Sequence, residues 1–129
     1  RRISCLTFTL SLVINLHFNL KNLIMKKVEN KKDYDSLIAQ KKPVLLDFYA
    51  DWCPPCQALL PVVEKLSEEY KGSVEIQKVN IDENKELASQ FQVRSIPALF
   101  FIKNEEIVDR VVGLTSDSVL REKIAKVLN

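Results

Sequence analysis

Val44-Leu45-Leu46-Asp47-Phe48-Tyr49-Ala50-Asp51-Trp52-Cys53-Pro54-Pro55-Cys56 joins an apolar run to two cysteines three positions apart, and a stretch with helical periodicity follows at once. A continuous apolar run of this length reads as a buried strand of a sheet covered on both faces. Asp47 is its one anomaly. The cysteines therefore stand at a strand-to-helix junction. If Cys53 opens the helix, unpaired backbone N–H groups and the helix dipole stabilise its thiolate. The chemistry this suggests is thiol–disulfide exchange.

Other uses of C-x-x-C fit less well. A structural zinc site needs four ligands, usually Cys or His, and beyond this pair the chain has only Cys5 and His17, in a different kind of sequence. Haem attachment needs His directly after the second cysteine, where Gln57 stands. A purely structural bridge stays open, although closing so short a loop removes little entropy from the unfolded chain.

The rest of the chain divides by composition. All 17 acidic residues of the 129 fall after position 24, whereas residues 1–24 carry Arg1, Arg2 and Lys21. The formal charge of +2 thus hides a slightly acidic unit over residues 25–129, of a size for one domain with a single core. No basic stripe with interleaved aromatics is present, which argues against nucleic acid as a partner. Residues 3–20 are uncharged and mostly apolar behind two arginines, as in an export signal or membrane anchor. Asn15, His17 and Asn19 interrupt them, and no small-x-small cleavage site follows. Met25, the only methionine, marks the break. The expectation is a domain over 25–129, with residues 1–24 as upstream sequence and a signal or anchor as the alternative.

Within the domain, Val28 is expected in a short first strand and Asp33 as the cap of a helix running to Gln40. A helix after Cys53 should bury Leu59, Leu60, Val62, Val63, Leu66 and Tyr70, kink at Pro61 and stop at Gly72. Residues 74–80 read as a strand and 84–91 as a short helix. Residues 98–103 and 106–112 form a hairpin across Asn104-Glu105. A last helix capped by Ser116 or Asp117 should bury Val119, Leu120, Ile124, Val127 and Leu128.

Asp47-Phe48-Tyr49-Ala50-Asp51-Trp52-Cys53-Pro54-Pro55-Cys56, then Pro61, Lys78-Val79-Asn80-Ile81-Asp82, Val93-Arg94-Ser95-Ile96-Pro97 and Gly113 together resemble the thioredoxin family from residue 25 to residue 129. The resemblance implies an α/β fold with a central mixed sheet flanked by helices on both faces. It implies a protein disulfide reductase, monomeric and cytoplasmic, acting on disulfide-containing proteins. No cofactor is bound; the redox group is the Cys53–Cys56 disulfide, and NADPH serves indirectly through a flavin-dependent thioredoxin reductase. Membrane contact arises only if residues 3–20 are an anchor.

Cys53, expected to be the more exposed sulfur, is the nucleophile and Cys56 the resolving thiol. The domain has no histidine, so Asp47, whose pKa burial should raise, is the group to accept the Cys56 proton. The resemblance gives Asp47 this role and sets Lys78 beside it as a modulator. It also implies a cis Ile96-Pro97 bond beside the dithiol, with free backbone groups for an extended substrate. Trp52, Ile81, Ile96, Pro97, Val112 and Gly113 form the expected docking surface, with Gly113 admitting close backbone approach.

Three departures from the family pattern stand out. Pro54-Pro55 replaces the commoner Gly-Pro, removing an N–H near the Cys53 sulfur and stiffening the loop. Both prolines are thus modulators of the dithiol. Ser95 replaces a common glycine, and Glu105 replaces the glycine of the hairpin turn. Two rivals remain: an exported or tethered thiol–disulfide oxidoreductase, and a non-catalytic subunit of the same fold that only holds a partner.

Overall fold

The computed structural model describes residues 25–129; residues 1–24, and with them the signal-or-anchor question and Cys5, lie outside the described residues. Eight elements follow in order: α1 (Lys31–Ala39), β1 (Val44–Tyr49), α2 (Pro54–Glu69), β2 (Glu75–Asn80), α3 (Lys85–Gln90), β3 (Ala98–Lys103), β4 (Glu106–Val112) and α4 (Asp117–Leu128). The strands form one sheet in the order β2-β1-β3-β4. β1 and β2 are parallel, and β3 is antiparallel to both β1 and β4.

Every residue of β1 is buried, as a central strand covered on both faces requires. Its alternation sorts the core into two layers. Leu45 faces Leu59, Val63 and Leu66 of α2 together with Leu120, Ile124 and Val127 of α4. Leu46 and Phe48 face Tyr34 and Leu37 of α1 and Leu87 of α3. On that second face Phe48, Phe91 and Phe100 meet with ring centroids 5.0–5.4 Å apart, tilted or edge-on. Each such fully buried side chain contributes roughly 1.5–3 kcal/mol, and the two layers fix the strand carrying Asp47 rigidly between helices.

Several local expectations are corrected. Asn30, not Asp33, caps α1: the Asn30 side chain accepts from the Asp33 N–H at 2.9 Å, and the Asp33 carboxylate accepts from the Glu29 N–H at 3.1 Å. This is a reciprocal cap with Asp33 in the first helical turn. The first strand is reduced to one bridge between Lys27 and Lys78, because only the Val28 and Lys78 N–H groups make ladder bonds there. On α4, Leu120, Ile124 and Val127 are buried, but Val119 and Leu128 are 38% and 41% exposed. Val119 lies about 100° round the helix from Leu120, and Leu128 lies in the last turn of α4. The hairpin turn stands where expected, with Asn104 and Glu105 at φ 53° and 67°.

Candidate active site

The dithiol is assembled by the end of β1 and the start of α2. Cys53 is the N-cap of α2, in extended conformation, and its Sγ accepts from the Cys56 N–H at 3.3 Å. Pro54 and Pro55 occupy the first two helical positions and have no N–H, so Cys56 supplies the first amide proton of the helix and directs it at the Cys53 sulfur. Cys53 and Cys56 are joined as a disulfide with their Cα atoms 5.3 Å apart, inside the range ordinary bridges adopt. In this oxidised state both cysteines are buried, Cys53 at 4% and Cys56 at 1% exposure. The expected contrast in exposure is therefore slight, because the bridge folds Cys53 back against Tyr49, Ala50, Ile81 and Ile96.

Asp47 lies on the same face of β1 as Leu45, the face covered by α2. It is fully buried, and neither carboxylate oxygen has a hydrogen-bond partner among the described residues. Desolvation lifts its pKa to about 7, and the Lys78 charge offsets this only in part. Lys78 is its register partner on β2, half-buried, with Nζ 5.6 Å from the Tyr49 ring centroid. The strand pairing thus brings Asp47, Lys78 and Tyr49 together beneath the dithiol helix.

Ile96-Pro97 is cis, and the Ile96 carbonyl oxygen lies 3.9 Å from Cys53 Sγ. The Gly113 N–H donates to the Pro97 carbonyl at 2.8 Å, tying the end of β4 to this loop. Around the disulfide, Trp52 is 67% and Val112 55% exposed, Ile81 and Ile96 are partly buried and Pro97 is buried. Ile81 and Ile96 pack against Cys53, Trp52 precedes it in the chain, and the bond from Gly113 to Pro97 brings the end of β4 to the same loop. Gly113 lies at φ +91°, a backbone conformation that favours glycine, and a Cβ there would meet no atom of the protein within 4 Å.

Sequence reasoning missed Asp82, Asn80 and Tyr49. Trp52 Nε1 donates to Asp82 Oδ2 at 2.8 Å, which fixes the exposed indole over the loop. Asp82 is itself held because the buried Asn80 side chain accepts from the Asp82 N–H at 2.9 Å. The signal was present in Asn80-Ile81-Asp82, an Asx-turn pattern at a strand end. Among the described residues no group of His, Cys, Asp and Glu is arranged to hold a metal, and no helix is long and apolar enough to cross a membrane.

The comparisons with known proteins agree with this geometry. The family model described as Thioredoxin matches residues 25–126. The chain is 40% identical over 95 residues to a thioredoxin of Chlorobaculum thiosulfatiphilum, covering 74% of this chain and 88% of that one. It is also 40% identical over 101 residues to a chloroplastic M-type thioredoxin of Pisum sativum, covering 78% of this chain but only 59% of the longer pea protein. Among solved structures, a single-residue mutant of thioredoxin from Halobacterium salinarum superposes with a TM-score of 0.76 at 37% identity, over 84% of this chain and 94% of that one. Fasciola hepatica thioredoxin does so with a TM-score of 0.74 at 35% identity, over 80% and 99%. With a redox-active cysteine pair at the head of α2 and a mixed sheet of this order, the chain belongs to the thioredoxin family of protein disulfide oxidoreductases.

Proposed function

We propose that the protein works as a reductant, passing two electrons from the Cys53–Cys56 dithiol to disulfides of other proteins. The observation that carries this is the placement of a cysteine sulfur at a helix N-cap, facing an amide proton, over a buried carboxyl that ionises near pH 7. In the reduced protein the Cys53 thiolate attacks one substrate sulfur. An intermolecular disulfide forms, the substrate S–S bond breaks, and its second sulfur leaves as thiolate. The Asp47 carboxylate takes the Cys56 proton, and the Cys56 thiolate then attacks Cys53 Sγ. The remaining substrate thiolate leaves, and the protein ends in the disulfide state seen here.

Lys78 tunes the affinity of Asp47 for its proton, and Pro54 and Pro55 limit the donors to Cys53. Trp52, Ile81, Ile96, Pro97, Val112 and Gly113 receive the substrate chain. The disulfide is regenerated to the dithiol by a flavin- and NADPH-dependent thioredoxin reductase, as family membership supports. The functional unit is residues 25–129, acting in the cytoplasm, with residues 1–24 as upstream sequence. The start of the family match at residue 25 and the composition break there support this division. The native N-terminus, read by mass spectrometry, checks that division: a mature chain beginning before Met25 contradicts it.

The activity itself is tested by reduction of a protein disulfide with dithiothreitol as electron source. Wild-type protein should accelerate it, and Cys53→Ser should not. Equal acceleration by the variant contradicts the proposal.

A further inference from the structure

A groove of about 320 Å³ opens on the β4 side of the surface proposed above for docking, and Val112 belongs to both. Its floor is Phe100, whose ring is buried, and Arg94 and Arg110 line its walls. A second groove continues from it, sharing Gln92, Phe100 and Arg110. Both arginines are exposed, and neither joins any of the ion pairs formed among the described residues. The one carboxylate lining these two grooves, Asp109, is paired with Lys123 at 2.7 Å and accepts from the Arg110 N–H at 2.8 Å, so its charge is already engaged. Two guanidinium groups without a counter-ion among the described residues thus border one shallow groove, two positions from Ile96 and three from Gly113.

We propose that Arg94 and Arg110 form a subsite for acidic side chains of the substrate polypeptide, so that the protein prefers disulfides flanked by Glu or Asp. The inference rests on the disulfide-exchange reading above and deepens it. A substrate segment laid along the Ile96 backbone, with its cystine sulfur at Cys53, continues over Ser95 into this groove. Guanidinium groups suit carboxylates through paired N–H donors, and a free pair of like charge attracts an acidic segment before contact as well as after it. The pairs stay near solvent, so each is worth only a small factor and weakens with salt.

The test uses three peptide disulfides that differ only in flanking Glu, Gln or Lys, with kcat/KM measured for each on the full chain. At low ionic strength the expected order is Glu above Gln above Lys, with roughly fivefold between the extremes, narrowing as salt is raised. In the R94Q/R110Q double variant the three rates should converge, and the R94E/R110E double variant should turn the preference towards the Lys peptide. That inversion cannot come from a damaged fold, which would lower all three together. Equal rates for the three peptides in the wild-type protein overturn the subsite while leaving disulfide reduction standing. A protein that reduces none of them overturns the reductase reading and the subsite with it.

Discussion

Asp47 and Lys78 face each other in register across the parallel β1–β2 pair, yet the carboxylate is fully buried without a hydrogen-bond partner among the described residues and the ammonium reaches out towards the Tyr49 ring. The lysine therefore acts on the acid through space rather than by contact. Burial dominates and sets the Asp47 pKa at about 7, in the range where a carboxylate can both accept and return a proton at neutral pH.

A buried acid of this kind acts against stability once it ionises. Its folded-state pKa lies above the ordinary value of 3.8, so the folded protein binds more protons than the unfolded chain between about pH 4 and pH 7. Stability should fall as pH rises through that window and level off above it. Asp47→Asn removes the effect. It should raise stability by up to about 4 kcal/mol at pH 8 and by almost nothing below pH 4. Denaturant unfolding of the oxidised protein at several pH values checks this; a pH-independent difference contradicts it.

The same substitution should separate the two chemical steps. Asp47→Asn leaves the Cys53 attack largely intact, while resolution by Cys56 slows by about a hundredfold. In the wild-type protein the resolution rate should rise through an inflection near pH 7 that the variant lacks. Rapid-quench trapping of the mixed disulfide measures both steps, and equal slowing of the two would refute the assignment.

Cys56→Ser should stall the reaction one step later than Cys53→Ser does. With Cys56→Ser, a covalent complex between Cys53 and substrate should accumulate and be seen by mass spectrometry under non-reducing conditions. A complex that forms through Cys56 in the Cys53→Ser protein, at a comparable rate, would reverse the assigned roles.

Trp52 is the only tryptophan, so its fluorescence reports on the surface proposed for docking. Asp82→Ala removes the 2.8 Å bond to Nε1. The indole should gain motion, read as lower fluorescence anisotropy, and KM for a protein disulfide should rise about threefold with kcat little changed. A change in kcat alone would mean that Asp82 serves the chemistry instead.

Glu105 sits at φ +67° in the turn between β3 and β4, a conformation that an ordinary side chain disfavours by about 1–2 kcal/mol. Glu105→Gly should stabilise the protein by roughly 0.5–1 kcal/mol after the added freedom of the unfolded chain is counted. Activity should not change. Thermal unfolding of both proteins decides it.

Much of this arrangement was legible in the sequence because strong local patterns and tertiary packing agree. The apolar run from Val44 to Tyr49 became the central strand with the expected ends, and the hairpin around Asn104-Glu105 has the expected bounds. The two cysteines and Pro97 lie together as the resemblance implied. What escaped depends on contacts that the chain order does not display. Asn30 and Asp33 are both capping residues, and only the direction of their two hydrogen bonds tells which is the cap. Val28 has strand character, but its segment offers the sheet only a single bridge. The bond between Trp52 and Asp82 spans thirty positions and follows from the β1–β2 register, which periodicity alone does not give.

The most direct test of the account is the equilibrium reduction potential of the Cys53–Cys56 couple, measured on the full chain in redox buffers with trapped thiols assigned by peptide mapping. A reductant that supplies electrons to protein disulfides should lie below the cytosolic glutathione poise of about −220 to −260 mV. A potential well above that poise, near the oxidising end of roughly −180 mV or higher, would contradict the account and make the protein a donor of disulfides instead.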